Sequence, residues 1–538
     1  MTQKLDNPIQ PKINLEFYSG EDLYSDGDVE DEILEIVSSG ADISQVLASD
    51  KRWPVLYHLS PIRRNILEWY NPDKESRLLE IGAGCGALTG LFCEKVKEVV
   101  AVELSKRRAE IIAARNRDNS NLEIIVGNLN EISFNEKFDY ITLIGVLEYS
   151  GKYTETDNPY RDFLIRVKEL LKPEGTLIIA IENKFGLKYW AGAKEDHNGR
   201  YFESIENFLN DISVRTFGKS ELEELLSQSG FKDTAFYYPM PDYKLPNQVF
   251  SDDYLPDIGQ ILDITPNYDG ERIVLFNESA VYDNIILNKQ FDFFANSFLV
   301  FCNNTGKRPQ TVYSKFNRER LPAFQIETSI FMEEGELRTV KKPLTIEACE
   351  HIACLYNNHE ILKNNYNKIK VINAQYMDDN IIFDFIDGKS LDRILVDAVI
   401  NRNINEFYKL LDRFVDCVKN TAIIQENKSG RNECSPRIFD DFSNIDTDNC
   451  VDLINMDINL DNLYLDENKN FVLIDYEWIF NVRAPVNVMI FRSMEYFWGK
   501  YNSYLKDFIN LEDLINHYNI SDVEIQIYRS MEKNYRFM

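Results

Sequence analysis

The sequence predicts an α/β chain, with a parallel sheet covered on both faces followed by a second domain of α+β type. Three observations carry this expectation. The stretch RLLEIGAGCGALTGLFCEKVKEVVAVELS, Arg77 to Ser105, reads as strand, glycine turn, helix, strand. Strand and helix signals then alternate to residue 182, as parallel strands joined by helical crossovers require. After Asn303-Asn304-Thr305-Gly306-Lys307-Arg308-Pro309, a polar segment with glycine and proline, the alternation stops and antiparallel strand signals begin.

Residues 1–50 read as an acidic N-terminal segment, mobile to about residue 25 and then forming short helices from Val29 to Leu47. Ser60-Pro61 is a helix start, an N-cap with proline at the first helical position. That helix would carry Ile62, Ile66, Leu67 and Trp69 on one face. The face either packs on the sheet or, with Tyr57 and His58 at its mouth, covers a ligand. Leu78, Leu79 and Ile81 form the first strand. Gly82, Gly84 and Gly86 follow at alternate positions, allowing a tight turn and close backbone approach to a ligand. Val99–Val102 lead to Glu103, about 20 residues past the turn, where a carboxylate can accept hydrogen bonds from a ribose. By itself Gly82–Ala87 also fits the dinucleotide pattern G-x-G-x-x-G/A, or a tight turn in any α/β domain.

Glu80, two residues before the first glycine, completes E-x-G-x-G-x-G. This resembles the first motif of class I S-adenosylmethionine-dependent methyltransferases. Further matches follow in order: Val126-Gly127-Asn128-Leu129 as the end of strand three, Phe138–Ile141 through Leu147-Glu148-Tyr149 as strand four and its loop, and Leu171–Ile179 as the turn into strand five. The resemblance implies a Rossmann-like domain over 51–303. It also implies S-adenosylmethionine as cofactor, held by Glu80, Gly82, Gly84, Gly86, Glu103, Asn128 and Leu129. Asn128 replaces the usual aspartate at the adenine edge, and its amide oxygen can still accept from the amino group. Ser220–Ser229 reads as a helix, Phe231–Tyr238 as strand six and Asn296–Phe301 as strand seven. Residues 239–295 are then an insertion, with Arg272–Phe276 as a strand within it, placed where an acceptor would bind.

In the second domain, 308–538, Thr311–Phe316, Ala323–Met332 and Glu336–Val340 read as successive antiparallel strands. A helix over Thr345–Asn364 follows, then strands at Ile369–Ile372 and Asn380–Phe385. Asp457 and Asn462 share the spacing of the catalytic aspartate and metal-binding asparagine of kinase catalytic loops, and Asp475 follows an apolar strand as the metal-binding aspartate does. The stretch Ile474-Asp475-Tyr476-Glu477-Trp478 resembles choline kinases and aminoglycoside phosphotransferases. The resemblance implies a bilobal protein-kinase-like domain using ATP and magnesium (Mg2+). Phe383–Leu391 would be its hinge, Lys341 its phosphate-binding lysine and Glu360 the lysine's partner; Lys342 and Glu350 compete for the last two roles. Asn462 and Asp475 would hold the metal and Asp457 would take the acceptor's hydroxyl proton. Two departures stand out: Asn455 replaces the usual histidine, and Asn317-Arg318-Glu319-Arg320 stands where a glycine-rich loop would be.

The formal charge of −29 argues against sequence-independent nucleic-acid binding, and no apolar run approaches a membrane span. The N-terminus lacks the basic start and apolar core of a secretory signal. Eight scattered cysteines without a CxxC pair read as reduced cytosolic thiols, with Cys85 a small residue that fits its turn. The expected location is cytoplasmic, with peripheral placement at the inner face of a membrane as an option. Asn183–Phe202 is locally basic, with Lys184, Lys188, Lys194 and Arg200 among Tyr189, Trp190, Tyr201 and Phe202. It reads either as a face for a sugar and its phosphate or as a solvated loop with aromatic anchors. His197 is the histidine placed to act as a base, or else a surface residue.

A methyltransferase followed by a small-molecule-type kinase resembles the bifunctional enzymes that terminate bacterial O-antigen polysaccharides. That implies phosphorylation and methylation of a sugar on a cell-surface glycan, with glycosyltransferases as further partners. The alternative is a methyltransferase alone, whose second domain holds the acceptor or a glycosyltransferase. Those enzymes also carry a C-terminal coiled coil. Residues 516–538 show no sustained heptads, so no coiled-coil ruler is expected, and the chain reads as a candidate fragment of a longer one.

Overall fold

A computed structural model describes residues 11–22, 24–209, 213–261, 272–421 and 450–535. The chain divides into two compact units. The first runs to Arg318 and includes Ser329–Met332; the second comprises Glu319–Thr328 and the residues from Glu333 onward. The polar segment at 303–309 therefore does not end the first unit. The strand after it, Thr311–Phe316, pairs antiparallel with Gln248–Ser251 of the same unit.

The first unit is built on β1 (Lys12–Phe17), β2 (Arg77–Ile81), β3 (Glu98–Glu103), β4 (Leu122–Gly127), β5 (Phe138–Ile144), β6 (Leu171–Glu182), β7 (Asp233–Met240), β8 (Gln248–Ser251), β9 (Ser297–Asn303) and β10 (Thr311–Phe316). Their order across the sheet is β1-β4-β3-β2-β5-β6-β9-β7-β8-β10. The strands from β1 to β6 are parallel. β9 runs antiparallel between β6 and β7. Consecutive residues of the central strands, such as Val99, Val100 and Ala101, are fully buried. Such continuous apolar runs belong to a sheet with helices on both faces. One face packs Leu79, Val100, Ile141 and Ile179 against Phe163, Leu164 and Val167 of helix Pro159–Leu170 and Leu222 and Leu226 of helix Lys219–Gln228. A smaller cluster joins Ile33, Val55, Leu59 and Cys85 to Ile111 of helix Lys106–Arg115.

Three local expectations need correction. Lys12–Phe17 is not mobile: it lies parallel beside β4, with Ile13 opposite Ile124. Its acidic surroundings concealed a short strand whose partner is distant in sequence; the first ten residues lie outside the described set. The helix expected from Ser60 is a 3-10 turn, Pro61–Ile66, although Ser60 does cap it by accepting from Ile62 N. Ile66, Leu67 and Trp69 are buried, and Trp69 packs on Tyr237 and Phe301. Arg272–Phe276 is not a strand; Ile273, Val274 and Leu275 are exposed, and Leu275 N makes a single backbone bond to the distant Ala191 O without forming a ladder. Residues 262–271 of the same insertion lie outside the described residues.

The N-terminal segment is fastened by buried charge. Arg108 Nε donates to Glu30 Oε1 and its Nη2 to Asp26 Oδ2, both at 2.7 Å, while His58 Nε2 lies 2.8 Å from the same Asp26 oxygen. Glu30 is fully buried, and Arg108 also lies over the Tyr24 ring.

In the second unit, Glu336–Pro343 pairs antiparallel with Asn380–Asp384, which pairs antiparallel with Ala374–Met377. Helix Cys349–Asn365 follows a 3-10 turn at Ile346–Ala348, so the predicted helix is real but starts later. Lys370–Val371 leaves that sheet and runs parallel to Phe471–Leu473, which pairs antiparallel with Leu463–Leu465. Helices at Leu391–Ile400, Ile404–Thr421, Asn487–Leu505, Leu511–His517 and Asp522–Tyr535 complete the unit. Among the described residues no helix is long and apolar enough to cross a membrane.

Removing one partner from a buried ion pair strands the other, a loss of roughly 3–5 kcal/mol. Arg108→Ala is therefore expected to destabilise the chain by about that amount in urea denaturation. Glu30→Ala, which leaves Arg108 its second carboxylate, should cost less. Equal losses for the two variants would contradict this account of how the segment is held.

Candidate functional site

The turn after β2 is anchored from both sides. Gly82 N and Ala83 N donate to Val102 O, and Gly84 N donates to Glu103 Oε2 at 2.8 Å. Glu103 Oε1 accepts from Leu104 N and Ser105 N. The end of β3 thus holds the glycine turn in place. Gly84 has φ +56°, and a Cβ there would meet nothing within 4 Å, because it faces an open cavity. Gly86 has φ +73° and serves packing: a Cβ would come to 3.3 Å from the Ile112 backbone. Glu80 sits behind the wall, buried, accepting from Thr89 Oγ1 at 2.7 Å. Burial pushes its carboxyl up to about 8. Burial also raises Glu103 above the usual carboxylate range, against the backbone N–H groups that favour its charge.

The cavity has a volume of about 670 Å³. Gly82, Gly84, Glu103, Asn128 and Leu129 line one end. Asn128 is fixed by its own turn: Oδ1 accepts from Asn130 N, and Nδ2 donates to Tyr153 O at 3.4 Å. Tyr57 and His58 do line the cavity, on helix Trp53–Leu59. Of the expected cofactor residues in this unit, Glu80 and Gly86 stand outside the lining and shape it from behind.

The other end is acidic. Glu148 lies in the turn after β5, Glu182 ends β6 and His197 lies on the loop beyond. His197 Nδ1 is 2.7 Å from Glu195 Oε1, and Glu195 Oε2 accepts from His197 N and Asn198 N. His197 Nε2 faces Glu148 Oε1 at 3.7 Å and Glu182 Oε2 at 4.0 Å. Burial opposes charge on the ring, yet these three carboxylates hold its pKa well above the ordinary histidine value. His197 is thus not a surface residue: its side chain is 7% exposed, and three carboxylates surround its ring. Burial raises Glu148, whereas Lys244 and His197 outweigh burial at Glu182 and lower it.

Of the cations in segment 183–202, Lys184 and Lys188 are spent on internal ion pairs. Lys184 pairs with Glu221 at 2.8 Å, and Lys188 pairs with Asp196 at 2.9 Å. Lys244 joins Asp196 and lies 3.0 Å from Glu182 Oε1. Lys194 remains at the rim, exposed, over the Tyr201 ring. Sequence reasoning missed Glu182, Glu195, Asp196, Tyr243 and Lys244, and quoted Glu148 without a role. The available signal was position: Glu148 and Glu182 follow the carboxyl ends of adjacent parallel strands, where ligands of such sheets bind.

In the second unit, Lys341 is buried and donates to Asp475 Oδ1 at 2.7 Å and to Glu477 Oε1 at 2.5 Å. Burial works against the lysine's charge, but the two carboxylates hold its pKa above the usual value. Glu477 also pairs with Arg320 at 2.7 Å. Glu360 is not Lys341's partner. It sits exposed on its helix, with its carboxylate 3.7 Å from His359 Nε2, and Glu350 is likewise exposed. Asp457 Oδ2 accepts from Trp478 N at 2.7 Å, its backbone N donates to Asn455 Oδ1, and Asn462 Nδ2 donates to Asp457 O. Burial, with the charges of Asp475 and Glu477, pushes the Asp457 carboxyl up to about 7. Asp457, Asn462, Asp475 and Lys341 are therefore brought together, while Glu360 is left out.

A family model described as "Methyltransferase domain" matches residues 79–177. A ribosomal RNA small subunit methyltransferase A of Mycoplasma mycoides is 28% identical over 151 residues, 26% of this chain and 56% of the relative. An uncharacterized methyltransferase of Staphylococcus carnosus is 29% identical over 156 residues, covering 26% of this chain and 70% of that protein. The chain thus spans about half the length of the Mycoplasma relative. A solved structure of Haemonchus contortus phosphoethanolamine N-methyltransferase 1, with phosphoethanolamine and S-adenosylhomocysteine, aligns with TM-score 0.30 and 12% identity over 53% of this chain and 51% of that one. From the family match over residues 79–177, and from a sheet order in which antiparallel β9 lies between β6 and β7, this chain carries a class I S-adenosylmethionine-dependent methyltransferase domain.

Proposed function

We propose that the first unit transfers a methyl group from S-adenosylmethionine to an oxygen of a sugar or sugar phosphate. We propose further that the second unit is an ATP-dependent phosphotransferase acting on the same class of glycan, a bacterial cell-surface polysaccharide or its precursor. The observation that carries the methyl-transfer half is one cavity with the glycine turn and Glu103 at one end and Glu148, Glu182 and His197 at the other.

The residues fit the cofactor. The space before Gly84 is open, Glu103 Oε2 keeps an acceptor position for a ribose hydroxyl, and Asn128 and Leu129 flank the position of an adenine. The cofactor supplies a methyl group on an electrophilic sulfonium. The chain supplies position, which dominates an in-line displacement. Trp53, Tyr57, Tyr149 and Tyr243 give the cavity flat apolar walls with polar tips, suited to a sugar ring. The glycan itself is favoured by the domain order and its resemblance to chain-terminating enzymes. Ribosomal RNA, named for the Mycoplasma relative, is disfavoured by a formal charge of −29, since phosphate backbones require a basic footprint.

In the second unit, Asn462 and Asp475 would hold magnesium and Lys341 would offset phosphate charge, with Glu477 rather than Glu360 as the acid that positions it. Asp457, fixed by Trp478 N, would accept the acceptor's hydroxyl proton.

Two outcomes test these assignments. Glu103→Ala should weaken S-adenosylhomocysteine binding in calorimetry by roughly 10- to 100-fold, the loss of hydrogen bonds to a charged group worth about 1.5–3 kcal/mol. Undetectable binding by the folded parent would remove the methyl-transfer reading. Asp457→Ala should abolish transfer of the ATP γ-phosphate to glycan while leaving S-adenosylhomocysteine affinity unchanged. If the parent shows no ATP turnover and the variant methylates normally, the second unit is a holder of acceptor or partner rather than a phosphotransferase.

A further inference from the structure

We infer that Glu148, Glu182 and His197 form a binding site for a divalent metal ion at the acceptor end of the cavity. One ligand atom from each lies within 4.8 Å of the others. His197 Nε2 stands 3.7 Å from Glu148 Oε1 and 4.0 Å from Glu182 Oε2. These gaps are too long for hydrogen bonds. They match the spacing of ligands that share one ion, since two donors each about 2.1 Å from a metal lie about 3 to 4 Å apart.

A second observation points to a missing ligand. Glu148 Oε2 and Glu182 Oε2 are both buried with no hydrogen-bond partner among the described residues, on side chains only 1% exposed. Buried carboxylate oxygens left unpaired are costly. The neighbouring cations do not meet the need. Lys188 is engaged by Asp196 and Asp242, and Lys244 by Asp196 and the opposite oxygen of Glu182, which also accepts from Tyr243 Oη. The histidine is also oriented as metal ligands are. Its Nδ1 is held by Glu195, itself pinned by two backbone N–H groups, so Nε2 is the nitrogen presented to the carboxylates. A bound ion takes the place of the Nε2 proton.

Two carboxylate oxygens and one imidazole nitrogen suit manganese, which accepts both donor types and keeps further positions open. Those positions face the cavity, where paired oxygens of an acceptor, neighbouring hydroxyls or a phosphate, would complete the shell. That role at the acceptor rests on the methyl-transfer reading; the ion site itself does not.

The test uses the full chain stripped with EDTA and free of nucleotide. Mn2+ binding is followed by the paramagnetic resonance signal of the free ion, in an Asp475→Asn background that removes the second unit's candidate metal ligand. One Mn2+ per chain is expected. Glu182→Gln and His197→Gln, added separately, should each weaken it by about 10- to 100-fold. Nitrogen hyperfine coupling in pulsed resonance should be present in the parent and absent in His197→Gln. S-adenosylhomocysteine calorimetry on every variant reports whether the unit is folded. Should Glu182→Gln fail that control, the nitrogen coupling and His197→Gln decide. No Mn2+ bound in the Asp475→Asn background, or binding that neither substitution weakens, overturns the site. S-adenosylhomocysteine binding without Mn2+ leaves the methyl-transfer reading standing and removes only the ion.

Discussion

The first unit depends on β2 lying between β3 and β5, parallel to both. The chain leaves β2 to one side for β3 and β4, then crosses to the other for β5 and β6. The loops beyond the carboxyl ends diverge there and open a crevice. Nearly every side chain of interest follows from that single arrangement. The glycine turn leaves β2, Glu103 ends β3, Asn128 follows β4, Glu148 follows β5 and Glu182 ends β6. Parallel pairing brings these ends to one rim although more than 100 positions separate Glu80 from Glu182. The hydrogen bond from Gly84 N to Glu103 then locks two of the loops together.

Charge is distributed unevenly along the resulting cavity. The end at Glu103 carries one carboxylate satisfied by three backbone N–H groups. The far end gathers Glu148, Glu182, Glu195 and Asp196 around two lysines and a histidine, all largely withdrawn from water. Buried charges in such density persist only when each finds a partner. Two carboxylate oxygens here do not, and that imbalance marks the acceptor end as the chemically demanding part of the molecule.

The second unit repeats the theme with different chemistry. Lys341 is withdrawn from solvent and neutralised by Asp475 and Glu477. The position expected for its partner, Glu360, is exposed on its helix, whereas Glu477, two residues past Asp475, points inward. Spacing along a chain counts residues but not helical phase, and a helix that rotates by one residue exchanges an inward side chain for an outward one.

The sequence by itself determined the parallel sheet, the position of the glycine turn and Glu103, and the grouping of Asp457, Asn462 and Asp475. These are local matters: apolar runs of strand length, glycines at positive φ and short fixed spacings are written in adjacent residues. It did not determine that Lys12–Phe17 joins the sheet edge, that Arg272–Phe276 stays out of any strand, or that Lys188 is neutralised rather than offered to a ligand. Nor did it reveal that His197 is enclosed by three glutamates. Tertiary structure alone decided these, because edge pairing, burial and the partner of each charge depend on what the fold brings together, whether eight positions away, as Asp196 is from Lys188, or more than a hundred, as Glu123 is from Lys12. The sign and strength of a charge's interaction are set by what the fold brings within a few ångströms of it.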